Sequence, residues 1–399
     1  MWVIELIIII YFLYTVLYSC VFSVAGLFYK PPIKIRNNKK KSFCILIPCY
    51  KEDVVILDVA KKALEQSYPT ENYDVVVIAD SLQQKTISAL QQLPIKVVEV
   101  QFESSTKVKS LNFAIQTLPD AKYDYAVILD ADNVMKYDFL ETINSSLTPS
   151  IKAMQGQRQP KNQNNSLAIL DGVSEAINNH IYRQGTVSLG LSSSISGSGV
   201  VFSYDTLKEK LSTMNSVGGF DRELELLLLK DGLTVKYHLN AIIYDEKVSQ
   251  SKTFQNQRKR WISSQYFYLR KYFKEGIIAL SKGNFLFFNS SILRNIQLPR
   301  LLNIGLLCLL TFSLFFIKQH LYFGYNIWVS LFLIMVFSTL IAIPKSFYNK
   351  KLFQAIFSIP GIFLNMVLLL FRLKGANKKF LHTPHGVIDT SQDKISEQK

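Results

Sequence analysis

The chain has 399 residues, a formal net charge of +15, 49% hydrophobic residues and a mean hydropathy of +0.15. That is enough length for one sizeable domain plus further segments, and too much apolar content for a purely soluble protein. Four cysteines, at 20, 44, 49 and 308, form no CxxC pair, which excludes a zinc ribbon or a disulfide framework and leaves them as small buried hydrophobes. Much of the basic excess flanks apolar segments and no nucleic-acid module is recognisable, so the charge points to a lipid bilayer and not to nucleic acid.

Residues 1–29 open the chain with a nearly continuous apolar run whose acidic exception is Glu5. It is long enough to cross a bilayer and lacks a basic leader and a small-residue cleavage site, so it reads as a retained N-terminal transmembrane helix. Lys30, Lys34, Arg36, Lys39, Lys40 and Lys41 follow, and the positive-inside bias puts them and the next domain in the cytoplasm. Four apolar strands are expected at 43–49, 74–79, 96–100 and 125–129, separated by helices at 55–66, 82–93 and 108–118. Unbroken apolar runs suit a parallel sheet covered on both faces. The expected fold is a doubly wound α/β domain over 42–270, with its ligands at the carboxyl ends of the strands.

Beyond 270 the composition shifts. Residues 271–299 mix apolar and basic groups, as an interfacial amphipathic segment would. Within 300–373, the runs Leu301–Ile317, Ile327–Ile343 and Leu352–Leu373 read as transmembrane or re-entrant helices, the last interrupted by Ser358-Ile359-Pro360-Gly361. One span before the domain and three after it would put the polar tail, 374–399, outside. Arg372, Lys374, Lys378 and Lys379 argue for the cytoplasm, and the tail is placed there, making a multi-pass protein of the cell membrane.

Acidic residues gather where the strands end. Glu52 and Asp53 follow the first strand, Asp80 the second, and Asp130 and Asp132 the fourth. In a parallel sheet these share one edge, and massed carboxylates need a cation or hydrogen-bond donors. A hard divalent ion, Mg²⁺ or Mn²⁺, takes one or two carboxylates plus substrate phosphates. A lone Asp-x-Asp is also met as a solvated turn capping the next helix. A phosphatase would continue with Thr, where this chain has Asn133 and Val134.

Several stretches in order carry a resemblance: IPCYKED at 47–53, Asp80, TKVKSLN at 106–112, DADN at 130–133, GSGVVF at 197–202 and QRKRW at 257–261. Together they resemble the membrane-embedded, inverting members of family 2 glycosyltransferases, of the cellulose, chitin and hyaluronan synthase type. The resemblance covers roughly 43–265 and implies a GT-A nucleotide-sugar-binding fold with transmembrane helices. It implies that Tyr50, Glu52 and Asp80 meet the nucleotide, that Lys107 lies near it, and that Asp130 and Asp132 hold the donor and the metal, with Asp132 the ligand. Arg260 would grip the diphosphate, while Gln257, Trp261 and Gly197, Ser198 and Gly199 would face the acceptor.

The base is where the sequence departs from the family, whose members usually present Thr-Glu-Asp. Aligning GGFDRELELLLLKDG, 218–232, on its Leu-Glu-Leu puts Glu223 in the base position, with Asp221 as the alternative. The expected reaction is one in-line displacement, with the base taking a proton from the acceptor hydroxyl and the anomeric centre inverted. The donor is expected to be a UDP-sugar by resemblance, and the product a growing polysaccharide. Two other readings stay open: one sugar added to a lipid or short acceptor, or a non-catalytic nucleotide-sugar-binding membrane protein. His382 and His385, in a C-terminal FLHTPH also similar to some relatives, have no assigned role.

Overall fold

The computed structural model describes residues 2–35, 39–119 and 122–372. The tail at 374–399, with Lys374, Lys378, Lys379, His382 and His385, lies outside the described residues. A mixed sheet of eight strands forms the centre. They are β1 (Phe43–Tyr50), β2 (Tyr73–Asp80), β3 (Lys96–Val100), β4 (Tyr125–Ile128), β5 (Val134–Met135), β6 (Ala153–Pro160), β7 (Val200–Ser203) and β8 (Val235–Asp245). The order across the sheet is β3-β2-β1-β4-β7-β6-β8-β5.

The first four strands are parallel, as their unbroken apolar runs predict. Alternate residues of each strand feed two separate cores. Phe43, Ile45 and Ile47 pack on one face with Val75, Val77 and Val127. Cys44, Leu46, Val76, Ile78 and Ile128 pack on the other. The first core is closed by helix Ile56–Leu64 and the second by helices Lys107–Thr117, Tyr204–Ser212 and Phe220–Lys230. Cys44 and Cys49 are buried there with free thiols.

A wholly parallel sheet does not hold past β4. β7 runs antiparallel to β4 and to β6, while β6 and β8 are parallel and β5 returns antiparallel along β8. Direction counted across these pairs leaves β6 and β8 pointing the same way as β1 to β4. One rim therefore gathers the carboxyl ends of six strands together with the start of β7, to which 197–199 leads. The polar-tipped strands 153–160 and 235–245 lack the unbroken apolar signature, which is why the sequence pattern stops at β4.

The apolar segments assemble into a helical layer beside the domain. Among the described residues one helix, Trp2–Gly26, is long and apolar enough to cross a bilayer by itself. The expected run 301–317 becomes helix Arg300–Phe315, bent by 51° from Phe285–Ile296, and the last run becomes Lys350–Ile356 and Ile359–Leu370, bent by 49°. That second break falls at Ser358, where Pro360 follows in the first turn of the new helix. Tyr325–Ile341 is an apolar helix of 17 residues. The interfacial segment expected from 271 is not separate at its start, because helix Ser251–Ser281 runs unbroken through it.

Trp2–Gly26 packs Ile9, Phe12 and Val16 against Trp328, Leu331 and Met335. Its outward residues, including Ile4, Ile7, Ile10 and Leu17, are exposed, as are Phe312, Leu333 and Phe337 of its neighbours. Closer to the domain, Gly185 sits so near Phe22 that an added Cβ would lie 2.1 Å from the Phe22 carbonyl oxygen. His180 Nε2 lies 2.8 Å from the Ser23 carbonyl, tying the same helix end to the domain.

Candidate active site

The strand rim opens into a cavity of about 1360 Å³ that continues between the apolar helices. Tyr50, Glu52, Asp80, Lys107, Asp130 and Asp132 line its upper part. The chain leaves β1 and β2 through residues in the left-handed region, Lys51 (φ 56) and Ser81 (φ 58), and both are non-glycine. Such conformations are held only where surroundings over-determine them. Here the Lys51 amide donates to the Asp80 carbonyl at 3.1 Å, locking the two strand ends together. The Asp80 carboxylate accepts from the Ser81 and Ser105 hydroxyls at 3.0 Å each and from Ser110 at 3.5 Å.

Asp130 already has a cation. Lys107, in the first turn of its helix, pairs with the Asp130 carboxylate and also donates to the Gly197 carbonyl at 2.8 Å. Its ammonium stands 4.4 Å from the Phe220 ring centre. The Asp-x-Asp turn is pinned from below: the Asp130 amide donates to Ser198 Oγ at 3.0 Å, and Asn133 Nδ2 donates to the same oxygen at 2.7 Å. Among the described residues no group of three or more His, Cys, Asp or Glu side chains is gathered closely enough to hold a metal alone. Asp132 with Asp130 offers oxygen donors only, an incomplete set of hard ligands. That donor set fits a Mg²⁺ or Mn²⁺ completed by phosphate oxygens and does not fit a closed zinc-type site.

Two carboxylates near the start of helix Phe220–Lys230 part company. Gly219, at φ +67, turns the chain into the helix. Asp221 then lies in the cavity wall beside Gly197, whose own added Cβ would be 3.7 Å from Asp221 Cβ. Burial raises its carboxyl above the ordinary range, partly opposed by the Arg222 amide and the Lys107 charge. Two residues on, a rotation of roughly 200° carries Glu223 to the far side. There it pairs with Lys271, and Tyr272 OH stands 3.5 Å away. Glu223 does not line the cavity. Of the two acids expected to serve as base, helix phase brings Asp221 and not Glu223 to the cleft.

Arg222, which lines the cavity, and Glu225, which does not, join in a buried network. Glu225 binds Arg222 at 2.9 Å and Arg294 at 3.0 Å, and accepts the Ile195 amide at 3.0 Å. These cations hold the Glu225 carboxyl below its usual range against the cost of burial.

Of the expected acceptor residues, Gln257, Trp261 and Gly197 line the cavity with Arg260, while Ser198 and Gly199 do not. Ser198 is fully buried beneath the Asp-x-Asp turn, and Gly199 (φ +62) is where Ile243 leaves no room for a Cβ. Both support the turn; neither reaches the cleft. Burial pulls the Arg260 guanidinium below its ordinary value, opposed by the Asp130 charge, which places these two motifs in one electrostatic neighbourhood. Sequence reasoning missed Arg158, which lines the cavity, donates to the Ser196 carbonyl at 2.9 Å and pairs with Asp245. It also missed Arg258 and Arg300, further down the same wall. Arg158 ends a strand with no apolar signature, and Arg258 is masked inside the basic run of QRKRW.

Residues 41–264 match the family model described as glycosyltransferase like family 2. The chain is 24% identical over 201 residues to poly-beta-1,6-N-acetyl-D-glucosamine synthase of Staphylococcus aureus, an alignment of 49% of this chain and 45% of that protein. It therefore spans about half the length of the curated relatives it matches. Among solved structures, a mannosyltransferase from Pyrobaculum calidifontis in complex with GDP-Man and Mn²⁺ superposes with a TM-score of 0.46 at 15% identity, over 85% of this chain and 99% of that one. Glucosyl-3-phosphoglycerate synthase from Mycobacterium tuberculosis, with Mn²⁺, UDP and phosphoglyceric acid, gives 0.38 at 12% identity, over 56% and 76%.

Proposed function

The chain belongs to the glycosyltransferase-like family 2 and is a glycosyltransferase, and from that premise we propose that it works at a membrane, inverting the sugar of a nucleotide donor as it passes to a growing polysaccharide. The observation that carries the reading is that Asp130, Asp132, Asp221, Arg260 and Trp261 line one cavity. A UDP-sugar is the donor proposed. Tyr50, Glu52 and Asp80 receive the nucleoside. Asp132, with Asp130, would hold a Mg²⁺ or Mn²⁺ that, when bound, neutralises charge on the departing diphosphate.

This chain's own groups supply the rest. Lys107 keeps Asp130 oriented and brings a positive charge to the diphosphate side. Arg260 adds a planar two-point phosphate contact. Asp221 is the proposed base, because its raised carboxyl is a stronger proton acceptor when ionised and stands on the cavity wall. Trp261, 42% exposed, offers a flat face to an acceptor sugar. The exposed apolar surface of Trp2–Gly26 and its neighbouring helices supports residence in the bilayer, with the domain on the cytoplasmic side.

A second reading is single addition to a lipid-borne acceptor. What favours it is that the cavity continues past Trp261 to Ile304, Leu340 and Ile356 of the apolar helices. The test is purified full-length protein with Mn²⁺, a panel of nucleotide sugars and a radiolabelled donor, reading diphosphate release and product size. Long chains support the polysaccharide, single additions the second reading, and no diphosphate release with any donor overturns both.

A further inference from the structure

Below Trp261 the cavity changes character. Helix Ser166–Asn179 carries Asp171 and Ser174 one turn apart on the same side. Asp171 pairs with Arg258. Ser174 accepts from Arg300 Nη2 twice, through its carbonyl at 3.1 Å and its hydroxyl at 3.3 Å. Two guanidiniums are thus moored side by side, and both line the cavity. The Arg258 guanidinium is held between aromatic rings, 4.6 Å from the Phe254 centre and 4.3 Å from Trp261.

Neither cation is used up. Arg258 Nε and Arg300 Nη1 are buried and make no hydrogen bond among the described residues. Native interiors rarely leave buried donors unmet, so each such group calls for a partner, and here both face a cavity that a ligand can enter. Lys350 also lines the cavity, and of the two carboxylates on this helix face Asp171 pairs with Arg258 while Glu175 is taken by Arg183. Immediately beyond, the lining is apolar: Ile304, Leu340, Ile343, Leu352, Ile356 and Ile362.

We infer that this floor is a binding site for an amphiphile with a phosphate-type head, the head on Arg258 and Arg300 and the hydrocarbon chain along the apolar helices. A planar guanidinium fork recognises phosphate in two-point fashion, and the paired forks make a site that a neutral head cannot satisfy. The chain of the ligand explains why a charged site adjoins a hydrocarbon wall and not open solvent. The inference deepens the transfer reading by naming what anchors the acceptor side, and it rests on that reading for its role although not for its chemistry.

The experiment uses full-length protein in neutral maltoside detergent and follows the fluorescence of Trp261, which touches Arg258. Dodecyl phosphate, butyl phosphate, inorganic phosphate and dodecyl glucoside are titrated in turn. Dodecyl phosphate is expected to give a saturable change that is absent in Trp261→Phe, with at least tenfold weaker binding for butyl phosphate. Inorganic phosphate binding as well as dodecyl phosphate would make the site a free-anion site and overturn the amphiphile. Equal binding of dodecyl glucoside would overturn the charged head. Arg300→Gln is expected to weaken dodecyl phosphate tenfold or more, and Arg300→Lys, which keeps the charge without the fork, by less. Unchanged affinity in both variants overturns the assignment. UDP binding with Mn²⁺, measured on each variant, reports an intact fold. Its failure in the unaltered protein sinks the transfer reading and leaves the amphiphile titration standing by itself.

Discussion

At the strand rim, charge is acidic and mostly satisfied by the protein: Asp80 by the Ser81 and Ser105 hydroxyls, Asp130 by Lys107. At the floor, Arg258 and Arg300 are moored on Asp171 and Ser174, and among the described residues one buried nitrogen of each makes no hydrogen bond. The rim sits on strands and tight loops and the floor on helices with exposed apolar faces. The difference teaches that one cleft asks for two kinds of phosphate. In the proposed function the rim takes a phosphate that would arrive with its own cation and leave, and in the inference above the floor takes one that would stay.

The sharpest way to break this comparison is at Asp221, between the two ends. Asp221→Asn is expected to lower turnover by about 10²- to 10⁴-fold while leaving donor binding intact, as loss of a general base should. A base works only when ionised. Because burial raises the Asp221 carboxyl, turnover should fall as pH drops through a limb lying above the ordinary carboxylate value. A pH–rate profile checks this, and the limb should vanish in Asp221→Asn. Next in size is the cation at the rim. Asp132→Asn, or removal of metal with EDTA, is expected to weaken UDP binding by roughly 10- to 100-fold, with Mn²⁺ restoring the unaltered protein and not the variant. Calorimetric titration with UDP decides it.

Gly199→Ala tests whether the support beneath the rim matters without touching the cleft. The new Cβ would fall 2.4 Å from Ile243 Cδ1 at φ +62, and a loss of about 1–3 kcal/mol is expected from overpacking and backbone strain together, read as a lower Tm. The smallest effect belongs to Glu223→Gln. With Glu223 outside the cavity, turnover should stay within a few-fold, and a loss as large as that of Asp221→Asn would return the base to Glu223.

Half of this arrangement was legible in the residues. The runs at 43–49, 74–79 and 125–129 became β1, β2 and β4 because each is buried on both faces, which is what an unbroken apolar run reports, while 96–100 became β3 at the half-exposed sheet edge. The acids at their ends followed from strand direction alone. β6 and β8 carry Gln, Arg, His and Asn toward the cleft and other polar partners, so no period marks them. Phase was the other blind spot. Asp221 and Glu223 are equally acidic and two positions apart, and only the helix start at Phe220, set by the left-handed Gly219, decides which one faces the cavity. Ser198 and Gly199, expected from the resemblance to face the acceptor, lie under the Asp-x-Asp turn and outside the cavity lining. The apolar segments were visible by composition, but their bends follow from tertiary contact.

The seat of Trp2–Gly26 has a bearing on biogenesis. Phe22 and Ser23 dock on Gly185 and His180, residues translated long after the first helix has left the ribosome. A newly made first helix has no protein surface to lie on at that end until the middle of the sequence emerges. The union of helix and domain is thus a late assembly step, and a side chain larger than hydrogen at 185 would leave an otherwise completed domain unable to seat its first helix.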